Sequence, residues 1–87
     1  MRLKVEQAGE GLHPSEIVIS INTRNGIDEE VFLSQSSLLQ GGYIEVGWPV
    51  GRDGDYLLVE LPRQTTRGLS RVWVHKDTLE EEERRRE

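Results

Sequence analysis

The chain has 87 residues, 34 % of them apolar and 31 % charged, with a formal net charge of −5 and no cysteine. That length makes one domain, and the charge suits a soluble surface rather than a disordered chain. The missing cysteines exclude disulfides, thiolate metal sites and cysteine nucleophiles, and no stretch approaches the ~20 apolar residues of a membrane span.

The first residues, MRLKVEQAGEG, hold no apolar run of the signal-peptide kind, so a cytoplasmic location is the expectation. Residues 3–6, LKVE, alternate enough for a first strand. QAGEGLHPS follows and is expected to be a loop, because glycine and proline punctuate it. EIVISINT then places Ile17, Ile19 and Ile21 on one face and Glu16, Ser20 and Asn22 on the other. Period 2 with β-branched residues predicts a strand. Asn25-Gly26 predicts a type I′ hairpin turn, which needs positive φ at both central residues. EEVFLS returns as the partner strand, with Val31 and Leu33 opposite Phe32, and QSSLLQGG turns the chain.

YIEVGWPV, residues 43–50, predicts one strand with Ile44, Val46, Trp48 and Val50 facing inward, so Trp48 is expected in the core. Pro49 cannot donate to a ladder and marks an edge strand or a bulge. Asp53-Gly54 predicts a second hairpin. DYLLVELP carries Leu57, Val59 and Leu61 on one face; PRQTTRGLS is a polar loop; RVWVH is the last strand. KDTLEEEERRRE predicts a short charged helix. Asp77 or Thr78 can cap it, acids lie at its start and arginines near its end, and Glu80 to Glu82 stand four residues before Arg84 to Arg86. Leu79 is its one apolar residue, so the charged tail over 80–87 is expected to be helical or frayed.

The two halves resemble each other. A slide of 40 positions lays IVISI (17–21) on LLVEL (57–61), and a slide of 41 lays VFLSQSSL (31–38) on VWVHKDTL (72–79). A three-stranded unit cannot bury its apolar face alone, and a second copy packed on it closes a core. The expected fold is therefore all-β: a small six-stranded barrel or sandwich, pseudo-twofold, with repeat halves over about 2–38 and 42–79 and the tail beyond 79. The order of strands, ending in a short turn and a leucine, also fits a five-stranded SH3-like barrel.

Nothing in the sequence proposes catalysis. His13 and His75 are the two histidines, and the nearest acid to His75 is Asp77. There is no GxSxG elbow, no phosphate loop and no zinc-ligand spacing. A non-enzyme without cofactor, metal or small-molecule substrate is expected.

Binding is the more productive reading. If Val72 and Val74 point inward, Trp73 points outward, and the same logic places Phe32 outward in the first half. Two exposed aromatics at equivalent positions would make one contact patch; reversed faces would make both of them core. Residues 61–79 carry a local charge of +3, with Arg63, Arg67 and Arg71 around the loop. The expected function is a non-catalytic interaction module that binds a protein partner or itself through an edge strand and exposed aromatics. Phe32, Trp73, Arg63, Arg67 and Arg71 are its expected contacts. The first alternative is a nucleic-acid-binding barrel using Arg52, Arg63, Arg67 and Arg71. It runs against the acidic body, because such affinity comes mostly from neutralised phosphates. An acidic inhibitor or nucleic-acid mimic is the second alternative.

Overall fold

A computed structural model of the chain describes residues 1–11 and 13–81. It is all-β, with nine short strands: β1 (Arg2–Lys4), β2 (Glu6–Glu10), β3 (Glu16–Asn22), β4 (Asp28–Ser34), β5 (Tyr43–Glu45), β6 (Gly51–Asp53), β7 (Tyr56–Glu60), β8 (Arg71–His75) and β9 (Leu79–Glu80). They form three antiparallel three-stranded sheets, ordered β2-β3-β4, β6-β7-β8 and β5-β1-β9. The described residues make no closed barrel; the Cα envelope is a slab of 38 × 36 × 16 Å. No helix among them is long and apolar enough to cross a membrane.

The strongest strand pattern folds as its alternation dictates. In β3, Ile17, Ile19 and Ile21 are buried, and in β4, Val31 and Leu33 are buried opposite them. Val59, Val72 and Val74 supply the inner face of β7 and β8, while Leu61 packs half-buried against the core. Leu3, Val5, Ile44 and Val46 complete the core from the third sheet.

That third sheet is where the expected six-strand layout fails. β1 leaves its own hairpin and pairs with β5, Leu3 opposite Ile44. Val5 N–H donates to Gly42 O (2.9 Å) and Val46 N–H to Met1 O (2.8 Å), on either side of that pair. The edges at the junction of the halves are thus paired rather than open. β9 covers the other side of β1.

The expected tail helix does not begin where its caps were placed. Lys76–Thr78 form a single 3-10 turn, capped by His75, and Leu79–Glu80 then join β1 as a strand. Leu79 packs against the core, and Glu80 accepts from Arg2 Nη2 and from the Tyr43 hydroxyl, both at 2.8 Å. An exposed helix would have offered this leucine nothing to pack on. Residues 82–87 of the expected tail lie outside the described residues.

Of the expected loop QAGEGLHPS, residues 7–10 belong to β2, while residues 13–15 form a turn. β2 pairs along β3 with a bulge at Ala8. Its sequence lacks apolar alternation because it is an edge strand, with Glu6, Gln7, Ala8 and Glu10 all exposed. The expected strand over 43–50 is instead two pieces. β5 stops at Glu45 and β6 starts at Gly51, and Pro49 lies in the break just before β6, the edge strand of its sheet.

The hairpins are real but their turn types differ from the expectation at Asn25-Gly26. Among the described residues no non-glycine has positive φ, so a type I′ turn is excluded there; in that five-residue connection only Gly26 (φ 73°) enters the left-handed region. At the second hairpin the two loop residues are Gly54 and Asp55. Gly54 (φ 63°) takes the positive-φ first position that only glycine adopts freely.

Candidate functional site

Trp73 stands on β8 between the buried Val72 and Val74, so its ring leaves the core for the outer face, beside Leu58 on β7. It is not bare there. The connection after β3 crosses to this strand, and Arg24 N–H donates to Trp73 O (3.0 Å). The Arg24 guanidinium lies 4.6 Å from the indole centroid and 5.6 Å from the Tyr56 ring, and its Nη1 reaches Asp53 Oδ2 at 2.6 Å. Cation–π stacking leaves Trp73 half-buried.

The loop over residues 61–70 forms the opposite wall. Thr65 is buried, and its hydroxyl accepts from Arg67 N–H (3.3 Å) and Leu69 N–H (3.1 Å). Leu61 N–H donates to Ser70 O and Thr65 N–H to Leu69 O, which closes the loop on itself. Thr66 N–H donates to Glu30 O (2.8 Å), which fastens the loop to β4. Arg67 then meets Glu29 of β4. Its Nη2 lies 2.6 Å and its Nε 3.4 Å from the two carboxylate oxygens. Glu29 is 3 % exposed, whereas the Arg67 side chain is 59 % exposed. A buried carboxylate thus orients an exposed guanidinium, and the geometry is bidentate. Arg71 is held by Glu60, its cross-strand neighbour, through Nε and Nη2 at 3.0 and 2.9 Å.

These walls enclose a cleft of about 340 Å³. Arg24, Arg67, Arg71 and Trp73 line it, with Ile27 and Leu69 adding apolar surface, both more than 40 % exposed. Three of the residues expected from the sequence, Trp73, Arg67 and Arg71, therefore meet in one place. The other two do not join them. Phe32 is exposed on the outer face of β4, and Arg63 donates to its carbonyl (3.1 Å) while lying 3.9 Å from Glu16. Both belong to a separate open groove of about 690 Å³. The single aromatic patch expected of Phe32 and Trp73 is thus divided, because each ring sits over its own sheet. Arg52 is on β6, opposite Leu57, and has no ion pair among the described residues. The four arginines do not form one basic rim.

Trp48 corrects the expectation of a core residue: it is 66 % exposed, and Val50 is 51 % exposed. The alternation that buries Ile44 and Val46 ends at Val46, one residue past β5, and the following Gly47 and Pro49 were the signal that it would. Sequence reasoning also missed Arg24, Ile27 and Leu69. Two isolated apolar residues in polar loops were the available signal for the cleft's rim; nothing local signalled that Arg24 would reach β8.

His75 is occupied structurally. Its Nδ1 accepts from Asp77 N–H (3.1 Å) as the cap of the 3-10 turn, and its ring meets Tyr56 edge-on at 5.3 Å. The Thr78 hydroxyl donates to the His75 carbonyl, not to the ring. Among the described residues no three His, Asp or Glu side chains converge in a way that would hold a metal ion. Comparison with known proteins finds no matching family model, no matching curated protein and no matching solved structure.

Proposed function

We propose that this protein is a non-catalytic interaction module that engages another protein through the cleft beside β8. The observation that carries the reading is the cleft itself. Three guanidiniums, each set by its own carboxylate, surround an opening rimmed by exposed Ile27 and Leu69 and backed by Trp73. Pre-oriented arginine beside apolar and aromatic surface is the composition of contact hot spots. The nucleic-acid alternative has less support, since Arg63, Arg67 and Arg71 are each within ion-pair distance of a carboxylate and Arg52 lies elsewhere.

A second surface favours self-association. Trp48 and Val50 are exposed immediately before the edge strand β6. The corresponding edge of the other hairpin sheet, β2, is guarded by Glu6, Glu10 and a bulge, the usual devices against edge-to-edge pairing. β6 has guards of its own, being three residues long with exposed Arg52 and Asp53 and following Pro49, so this reading rests on the exposed Trp48 and Val50, which a second copy packing there would bury.

The module also reads as two tandem copies of one unit. Several features support this: β2-β3-β4 and β6-β7-β8 have the same order, and each last strand runs into a capped 3-10 turn, at Gln35–Ser37 and Lys76–Thr78. The bonds Val5 to Gly42 and Val46 to Met1 exchange under the same slide of 41 positions that aligns the sequence halves.

Peptide-display selection on the immobilised full chain tests the module reading, together with solution mass by light scattering over a concentration series. An enriched peptide motif, or a dimer abolished by Trp48→Ser, supports it. No motif from a strict monomer overturns it.

A further inference from the structure

Resting on the reading of Trp48 and Val50 as a self-association surface, we infer that two copies of the chain pair about a twofold axis, each seating its Trp48 in a groove of the other. The groove has a volume of about 650 Å³. Its lining is mostly apolar, from Leu39, Ile44, Val46, Leu61 and Pro62, and it includes Gly47, the residue before Trp48.

The first reason is what the other half of the chain holds at the same place. β2 pairs with β3 there, with Gln7 opposite Ile19 and Glu6 opposite Ser20. The slide of 40 positions carries Ile19 and Ser20 onto Val59 and Glu60, and the slide of 41 carries residues 6–9 onto 47–50. In the second half that part of the ladder is missing. β6 meets β7 only at Tyr56–Leu58, and Val50 N–H adds one bond to Leu58 O (2.8 Å). Pro49 has no N–H to give a ladder, so the 47–50 segment cannot repeat what β2 does. One break therefore leaves two surfaces unsatisfied. The groove beside Glu60 and Leu61 lacks its strand, and Trp48 and Val50 are 66 % and 51 % exposed.

The second reason is where these two surfaces lie. Trp48 follows a residue of the groove lining, so an apolar projection stands next to an apolar hollow. Its exposure shows that the ring does not fill the groove of its own chain. A twofold axis satisfies both features at once, because an isologous contact sets each projection against the partner's hollow.

The third reason is area, which also sets the strength. A tryptophan buries roughly 150–250 Å². Two such rings, the walls they cover and the two Val50 side chains remove roughly 700–1,000 Å² from water, less than the ~1,200 Å² at which stable specific interfaces begin. The dimer is therefore weak, with a dissociation constant of roughly 0.01–1 mM. Each copy carries a formal charge of −5, so the two repel, and salt strengthens an apolar contact between them.

The test is the solution mass of the full chain from about 5 μM to about 1 mM, at about 0.05 M and about 0.5 M salt. The expected result is a monomer at the lowest concentration and a rise toward the dimer at the highest, larger at high salt. Trp48→Ser stays monomeric throughout. Ser37→Gln lengthens an exposed side chain of the groove lining without changing charge, and it weakens the dimer tenfold or more. In a chain carrying Trp73→Phe, Trp48 emission moves to shorter wavelength over the same concentration range. Circular dichroism checks that each variant is folded.

A monomer at the highest concentration overturns the inference; the cleft beside β8 is then judged separately, by the display selection. A dimer indifferent to Trp48→Ser overturns it as well. A dimer that needs Trp48 but ignores Ser37→Gln sets ring against ring outside the groove, which overturns the exchange. Association that continues beyond the dimer is a head-to-tail contact and overturns the twofold.

Discussion

The Glu29–Arg67 pair fixes the loop wall of the cleft, and its removal has a calculable cost. Arg67→Met keeps most of the apolar stem and deletes the guanidinium, leaving Glu29, 3 % exposed, without its two charge-assisted bonds. Hydrogen bonds to charged groups contribute about 1.5–3 kcal/mol each way of counting, and breaking a fully buried pair costs about 3–5 kcal/mol. Arg67 itself is 59 % exposed, so water partly screens the pair and the lower range applies. A loss of about 2 kcal/mol is expected, a fall in Tm of about 8–16 °C for a domain this size. Arg71→Met is the control: both partners of that pair are more than half exposed, and its loss should stay below about 1 kcal/mol. The double variant Glu29→Leu/Arg67→Met should recover at least half of the loss, because an apolar pair substitutes for a buried ionic one at little cost. Urea unfolding followed by circular dichroism measures all three. A loss under about 0.5 kcal/mol for Arg67→Met, or a double variant less stable than the single one, would refute the account of a stranded buried carboxylate.

Three further outcomes are expected. With Trp73 replaced by Phe, Trp48 should emit at long wavelength and be quenched freely by iodide, and Trp48→Ser should change stability by no more than about 0.5 kcal/mol; a blue, protected emission would return Trp48 to the core. Thr65→Val keeps the shape but leaves the N–H groups of Arg67 and Leu69 without their acceptor; a loss of about 1–3 kcal/mol in urea unfolding is expected. The Tyr43 phenol is held above its ordinary pKa of 10.0, first by the hydrogen bond it donates to Glu80, then by desolvation and by the Glu80 charge, with Arg2 opposing. Folding therefore favours the protonated phenol. This contribution is fully present below about pH 10 and is lost as the pH rises through the higher folded value. The urea midpoint of the native chain should fall more steeply from pH 9.5 upward than that of Tyr43→Phe; parallel curves would count against the Tyr43–Glu80 bond.

Wherever a residue's fate depends on its immediate neighbours along a strand, the sequence was sufficient. The isoleucines of β3 and the alternation of Val72, Trp73 and Val74 in β8 follow from the pleat, which sends successive side chains to opposite faces whatever the rest of the chain does, but which face of β8 carries Trp73 was left open. The glycine at each hairpin was legible for the same reason, since positive φ is a local steric demand. Partial legibility came at Pro49: the missing N–H announced an edge, yet period-2 alternation carried the predicted strand through Trp48, which is exposed.

What tertiary structure decided are the pairings between distant segments. β1 could have stayed with its own hairpin; it pairs with β5 and β9 because Leu3, Ile44 and Leu79 bury one another there, and no local pattern encodes that choice. The same contact turned a sequence with every mark of a charged helix start into a strand. The site shows the division most plainly. Trp73, Arg67 and Arg71 were visible as aromatic or basic residues, but they become one cleft only because the β3–β4 connection delivers Arg24 onto β8 and a buried glutamate draws the 61–70 loop onto β4. Alternation within a strand is fixed by backbone geometry over two residues, whereas convergence across forty is fixed by which apolar surfaces find each other.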